Sequence, residues 1–324
     1  MNTLYLDKLL NFRSKISDVI APLITGNIHL TNLPFHANMG DGLIWRGTED
    51  LIASTGKKVL TRSSFLSFQF NKINSQDIII LNGGGSFGDV WPMIMDFFIN
   101  VIKKYPENRI ILLPQSAWYD NLTEISKHSD ILSAHRDLHL IARDKYSFDL
   151  FSNHFSSNNI YLTPDMAFAI NPNRLRKWQN LDKKSGVLYL KRIDKEWNPA
   201  TQIFIKNSVV SDWPTLTSPT YIEKCYFSLL NRTMFSIGHS IVSDSLYWPW
   251  VELSARLMIL NRFLDRGAEF LSDFKYIVTT RLHVLILATL LGIETKYIDN
   301  TTKKLSAYAN TWLSDFKNIT PYES

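Results

Sequence analysis

Short β-branched runs alternate with longer amphipathic stretches along most of the 324-residue chain. That alternation predicts an α/β fold, with parallel sheets covered by helices on both faces. The length is a prior for two domains rather than one. The pattern breaks once, at residues 171–186, where Pro172 is followed by the basic residues Arg174, Arg176, Lys177, Lys183 and Lys184. The expected architecture is therefore two Rossmann-like domains facing a cleft, the first over residues 1–176 and the second over 177–324.

The opening MNTLYLDKLLNFRSKISDVI reads as an amphipathic helix. NIHLTNL at 27–33 is the first strand candidate, and the polar loop PFHANMGD leads from it into a helix through DGLIWRGTEDLIAS. KKVLTR and DIIILN are strands, the second running into GGGSFGD. A helix through PMIMDFFINVIKKY precedes the strand RIILLP, and LHLIAR, DKYSFDLFSNHF and IYL give strand, helix and strand. The second half opens with the strand VLYLKR, then the helix TYIEKCYFSLLNRTMFS and a helical stretch from about 249 to 266. The strand KYIVTT, the helix RLHVLILATLLG and the strand TKYID follow, and a last helix begins near Lys303 and carries Trp312.

With 45% apolar and 20% charged residues, each half can bury a full core without disulfides or a structural metal. The single cysteine, Cys225, cannot form an intrachain disulfide, which fits a reducing compartment. The amino terminus lacks the apolar core and cleavage site of a secretory signal. No segment reaches the roughly 18 apolar residues needed to cross a bilayer. The best candidate, IVTTRLHVLILATLLGI, carries Arg281 and His283 near its middle. The expected location is cytoplasmic, and the opening helix and basic balance suggest peripheral contact with the inner face of the membrane. Thirty-five lysines and arginines against 30 acids suit anionic small molecules. The excess is too dispersed for nucleic acid, and no groove-reading motif accompanies it. Nothing in the sequence specifies an oligomeric state.

In open parallel sheets, ligands sit beyond the carboxyl ends of the strands, where loops meet helix amino termini. That rule selects HANMGD, NGGGSFGD, PQSAWYD, ARDKYS, TPDMA and TTRLH. The candidates they supply are Asn38, Gly40, Asp41, Gly83, Gly84, Gly85, Asp89, Gln115, Arg143, Asp165, Arg281, Leu282 and His283. Gly83 to Gly88 satisfies G-x-G-x-x-G between a strand and a helix, as a tight turn with or without a ligand. A dinucleotide fits poorly, because the motif follows the third strand and Asp89 would repel a pyrophosphate. Asp41 reads either as a helix N-cap, which spacing favours, or as a base toward a sugar hydroxyl.

Arg281 at a helix amino terminus favours an anion, and His283 beside it can carry a proton at neutral pH. Arg143 is a second strand-end arginine, serving an anion or pairing with Asp144. Lys304 opens the last helix, where the dipole disfavours a cation, so a local anion or plain solvation would account for it. His135 and His139 alternate on a strand without supporting ligands and read as surface residues, so no metal site is expected. His-Glu-x-x-His and a Walker lysine are both missing from the sequence.

Taken in order, NMGDGLIWRG, ILNGGGSFGDVWP, LPQSAWYD, LIARDKYSFDL, TPDMAF, VTTRLHVLILATLLGI and IDNTTKKLSAYANTW resemble the polysaccharide pyruvyl transferase family. The tail looks like the exopolysaccharide-modifying branch. The resemblance implies a GT-B-like fold with the acceptor side in 1–176, the donor side in 177–324 and the last helix packing back. It also implies phosphoenolpyruvate as donor substrate, no cofactor, and a saccharide acceptor that is lipid-linked or nucleotide-linked in some systems. The family's Arg-Leu-His motif falls on Arg281, Leu282 and His283, its Arg-Asp motif on Arg143, and its tail lysine on Lys304. Thr280 and Ser86 depart from the serine and asparagine many relatives have there, which bears on acceptor identity. By resemblance, Arg143, Arg281 and Lys304 hold the donor's charges, His283 protonates its methylene, and Asp41 or Asp165 is the base. The alternatives are a GT-B glycosyltransferase, which needs a ribose-contacting carboxylate such as Glu252, and a non-catalytic carbohydrate-binding protein.

Overall fold

The computed structural model describes residues 3–179, 185–193, 203–237, 244–299 and 303–323. The amino-terminal half contains α1 (Thr3–Ile20), β1 (Ile28–Thr31), α2 (Met39–Thr55), β2 (Val59–Arg62), β3 (Ile78–Leu81) and β4 (Gly84–Gly88). It continues with α3 (Pro92–Lys104), β5 (Ile110–Trp118), α4 (Leu122–Ser133), β6 (Leu138–Ala142), α5 (Lys145–His154) and β7 (Asn159–Leu162). Its strands are all parallel, in the order β2-β1-β3-β5-β6-β7, with β4 added against the far end of β5.

After the short α6 (Arg176–Gln179), the second half contains β8 (Val187–Leu190), β9 (Ser208–Ser211), α7 (Pro214–Thr217) and α8 (Tyr221–Ile237). Next come α9 (Asp244–Ala255), α10 (Asn261–Ser272), β10 (Tyr276–Thr279), α11 (Leu282–Leu291), β11 (Glu294–Tyr297), α12 (Lys304–Tyr308) and β12 (Ile319–Pro321). This sheet is also parallel, in the order β12-β11-β10-β8-β9. These are the two parallel, helix-covered sheets that the alternation predicts. In each, strand order reverses once, between β1 and β3 and between β8 and β10.

Four elements depart from the sequence reading. The glycine run is not a turn opening a helix. Gly84–Gly88 is a strand paired with β5, and α3 begins only at Pro92. Helix α4 has no counterpart in the sequence reading, because only Ile125 and Leu132 of its twelve residues are buried, too thin an apolar stripe to register. Strand β9 exposes Val209 and Val210 at a sheet edge, and β12 has three residues. The connecting segment 171–186 includes residues 180–184, which lie outside the described residues. Its first part is tied to α2 by Asp50, which accepts from the Asn171 amide (2.9 Å) and Arg174 Nε (3.0 Å).

One apolar core fills the α3–α5 face of the first sheet, and a larger one runs continuously from α1 and α2 to α10 and α11 of the second half. Helix α1 belongs to that shared core. Phe12 packs edge-on against Phe168 at 5.0 Å and Trp312 at 5.8 Å, while Tyr5 donates to the Thr289 carbonyl (2.7 Å). Its main apolar stripe, Phe12, Ile16 and Ile20, therefore lies inside the protein, leaving Leu4, Leu6 and Leu10 exposed. Among the described residues no helix is long and apolar enough to cross a membrane. In α11 every residue except His283 is buried, which explains an apolar helix with one polar position at its start.

Candidate functional site

A cavity of about 760 Å³ lies where the carboxyl ends of the two sheets meet. Asn32 and Asn82 to Ser86 reach it from the β1/β3 reversal, and Arg192 and Arg281 to His283 from the β8/β10 reversal. Two strand-order reversals thus open on one cavity, the position at which such sheets bind ligands. Among the described residues its charged lining is lopsided: Arg143, Arg192, Arg281 and Lys304, with His36 and His283, face a single carboxylate, Asp41.

Arg143 and Arg281 are held from behind by buried acids. Arg143 Nη1 donates to Asp165 Oδ2 (2.8 Å) and its Nε to Ser116 Oγ (2.9 Å), which in turn donates to Asp144 Oδ2 (2.5 Å). Arg281 meets both oxygens of Asp212, with Nη2 at 2.6 Å from Oδ2 and Nε bonded to Oδ1. Asp212 also accepts from the Trp213 amide at 2.7 Å and the Ile193 amide at 3.2 Å. Such paired, planar guanidinium groups keep a fixed orientation while remaining cationic toward the cavity wall. Lys304 enters from α12 and donates to the Gly85 carbonyl (3.3 Å), so a side chain of the last helix closes on the first half. Trp312 Nε1 reinforces that contact by donating to the Arg143 carbonyl (2.8 Å).

His283 sits at the centre. Its Nε2 is 3.5 Å from both Arg143 Nη1 and Asp165 Oδ2, and its side chain is 12% exposed. Asp165 is fully buried, and burial pushes its carboxyl upward. The His283 hydrogen bond, the charges of His283 and Arg143 and the Ala167 amide together reverse that, holding it well below the usual carboxylate range. The Tyr308 hydroxyl accepts the Asp165 amide (3.0 Å), and burial raises that phenol well above its ordinary value.

Gly40 explains itself here. A Cβ at that position would lie 2.5 Å from His283 Nδ1 and 2.8 Å from its Cβ, so α2 can pass the imidazole only without a side chain. Gly40→Ala is expected to destabilise the fold by about 1–3 kcal/mol, the range for an overpacked core. It should also lower turnover at least tenfold by displacing the imidazole. Urea unfolding and steady-state rates measure the two effects, and normal values for both would remove this account of Gly40. Gly85 serves a second close approach: a Cβ there would stand 2.9 Å from Arg143 Nη2 and 3.4 Å from Lys304 Nζ.

Several sequence assignments need correction. The N-cap of α2 is Asn38, whose Oδ1 accepts from the Gly40 amide (3.1 Å). Asp41 lies in the first turn, accepts from Asn38 Nδ2 (2.8 Å), and faces the cavity. Asp89 is not in the site. Its carboxylate accepts the Asp120 amide (2.9 Å) and the Asn121 amide (2.7 Å), bracing the loop after β5. Gln115 is fully buried behind the glycine strand and donates to the Asn82 carbonyl (3.1 Å). Asp165 lies behind Arg143 and His283 and has no exposed surface, so a base acting directly on a hydroxyl in the cavity must be sought elsewhere. Arg143 pairs with Asp165 rather than its neighbour Asp144, which caps α5.

His135 and His139 are buried rather than on the surface, bonded to the Tyr105 carbonyl (3.0 Å) and Asp137 (2.7 Å). Glu252 lies on α9 beside Arg256 and outside the cavity lining, which removes the carboxylate named for a ribose pocket. Gly83, Gly84 and Leu282 line the cavity.

Sequence reasoning missed Arg192 and Asp212. Arg192 was available to the strand-end rule, since it directly follows VLYLK. Asp212 carried no comparable signal, because it follows a strand that was not recognised.

The polysaccharide pyruvyl transferase family model matches residues 38–302 of the chain. The chain is 29% identical to a Bacillus subtilis protein named pyruvyl transferase EpsO, over 94% of this chain and 91% of the relative. It is 27% identical to Pyruvyl transferase 1 of Schizosaccharomyces pombe, over 88% of this chain and 69% of the relative. A crystal structure of an uncharacterized Klebsiella pneumoniae protein superposes with a TM-score of 0.60 at 20% identity, covering all of both chains, which supports the fold alone. With both sheets opening on one cation-lined cavity, and the family model spanning both, the chain belongs to the polysaccharide pyruvyl transferase family.

Proposed function

We propose that the protein transfers the pyruvyl group of phosphoenolpyruvate to a saccharide of a surface polysaccharide or exopolysaccharide, or of its precursor. Inorganic phosphate is released and a cyclic pyruvate ketal remains. The observation that carries this reading is the excess of cations, Arg143, Arg192, Arg281 and Lys304, over the one carboxylate, Asp41, among the described residues that line the cavity. A small donor bearing both a carboxylate and a phosphate needs such a set, and a partly desolvated cavity makes each contact stronger than in water.

The chemistry then follows from positions. His283 delivers a proton to the donor methylene, which becomes the methyl group and leaves the central carbon electrophilic. One sugar hydroxyl adds to that carbon and loses its proton. A second hydroxyl then displaces phosphate, also losing a proton, and closes the ketal. Asp41 is the carboxylate in reach of an acceptor hydroxyl, while Asp165 orients His283 and Arg143 from behind. The cations stabilise the departing phosphate.

The test is phosphate release from phosphoenolpyruvate with galactose-, glucose- and mannose-type acceptors. Lys304→Ala is the informative variant, because Arg143 and Arg281 are ion-paired with buried carboxylates and their loss would also disturb the fold. Acceptor-dependent release, lowered roughly 10- to 100-fold in that variant as for a lost charge-assisted contact, is the expected result. No release with any acceptor, together with thermal stabilisation by a nucleotide sugar, would replace this reading with glycosyl transfer.

A further inference from the structure

Trp118 and Tyr146 take no part in either apolar core or in the cavity lining. Trp118 ends β5 and Tyr146 lies in the first turn of α5, so both emerge at the carboxyl edge of the sheet that also carries the cavity. Their rings are stacked, with centroids 5.5 Å apart and planes at 28°, and Tyr146 is 47% exposed.

The pair is fixed in place by hydrogen bonds. The indole Nε1 donates to Asp120 Oδ1 (2.8 Å), and the Asp120 and Asn121 amides are in turn held by Asp89. The Asp89 amide closes the loop by donating to the Trp118 carbonyl (3.3 Å). Gly88 adds a steric condition: with φ +117°, a Cβ there would stand 1.8 Å from the same carbonyl. Burial, and then the charges of Asp144 and Asp120, push the Tyr146 phenol upward, consistent with Asp120 standing close to both rings.

The position relates the pair to the cavity. Ser86 lines the cavity, and Gly88, two residues further along β4, is the register partner of Trp118. At about 3.3 Å per strand residue, Trp118 is level with a point roughly 7 Å along β4 from Ser86, the scale of a step along a glycan. Around it Asp120, Asn121 and Lys145 are exposed, together with one apolar residue, Leu122. Two rings and one leucine among polar residues are far too small for a stable protein interface, which needs on the order of 1,000 Å². They suit a sugar ring, whose C–H face stacks on an aromatic surface while its hydroxyls donate to a nearby carboxylate.

We propose that Trp118, Tyr146 and Asp120 form a second saccharide subsite, holding the acceptor glycan next to the sugar that receives the pyruvyl group. Its relation to that sugar rests on reading the cavity as the transfer site; the saccharide contact itself does not.

Calorimetric titration without donor tests it, using tetrasaccharides of galactose, glucose and mannose and the corresponding methyl monosaccharides. At least one tetrasaccharide should bind the wild type. Trp118→Ala and Tyr146→Ala should each weaken that binding about tenfold, the scale of one aromatic stacking contact. Tyr146→Phe, which keeps the ring face, should bind like wild type, and monosaccharide binding should be unchanged throughout. Equal tetrasaccharide affinity in wild type and Trp118→Ala, or no tetrasaccharide binding to wild type, would overturn the subsite. Because no phosphoenolpyruvate is present, failure of the donor assignment leaves this readout untouched. Both rings are partly exposed, and thermal unfolding of each variant checks that its fold is retained.

Discussion

His283→Asn is expected to lower turnover about 10²- to 10⁴-fold, the usual contribution of a positioned proton donor, with the fold intact. Asparagine keeps a polar group beside Arg143 and Asp165 but cannot deliver a proton at neutral pH. The smaller side chain relieves the tight approach of Gly40, where a Cβ would already stand within 3 Å of the ring. Neither α2 nor α11 therefore has reason to move. Single-turnover rates should carry the whole loss, while KM for phosphoenolpyruvate changes little, since the donor's charges are assigned to the arginines and Lys304. Unimpaired turnover in a folded variant would remove His283 as the acid.

Asp165→Ala should have the largest effect on stability. The residue is fully buried and compensates Arg143, itself 2% exposed. Removing one member of a buried ion pair leaves an uncompensated charge and typically costs about 3–5 kcal/mol. The variant also loses the cap that Asp165 provides to residues 166–169 through the Ala167 amide (2.8 Å).

The pH dependence has a definite sign. The folded-state pKa of Asp165 is depressed, so its stabilisation is present above the unfolded carboxyl pKa of about 3.9 and is lost as pH falls through the lower folded value. Urea unfolding should therefore show a gap between wild type and Asp165→Ala that does not shrink from pH 7 to about pH 5. The gap should narrow only below about pH 4, as protons begin to bind the unfolded chain. A gap that shrinks between pH 7 and pH 5 would mean that Asp165 is not the ionised partner of Arg143.

The alternation of β-branched and amphipathic runs carried most of the architecture, because strands buried on both faces read as continuous apolar runs such as IIIL and IILL. It failed where burial is thin or the residues have unusual geometry. Helix α4 buries two side chains, β9 exposes its valines at an edge, and β4 is made of glycines that ordinarily interrupt strands. The strand-end rule found Arg143, Arg281 and His283 and would have found Arg192, since all four lie at or just beyond strand carboxyl ends. The same rule also collected Asp89 and Gln115. It selects loops, and cannot tell a side chain aimed into a cavity from one bonded to the loop opposite.

Composition, alternation and ordered motifs by themselves determined the two-sheet α/β class, the edge on which the cavity opens, and the residue types gathered there. Those properties are local: periodicity is set by neighbours along the chain, and strand ends are visible wherever apolar runs stop. Only the tertiary structure decided which charges are compensated, because Asp165 and Asp212 reach Arg143 and Arg281 across 22 and 69 residues. It also decided that Gly40 makes room for His283 and that Lys304 closes on Gly85, contacts spanning the two halves of the chain. Ion pairing and steric clearance depend on distances of a few ångströms between segments remote in sequence, and such distances are set by packing rather than by pattern.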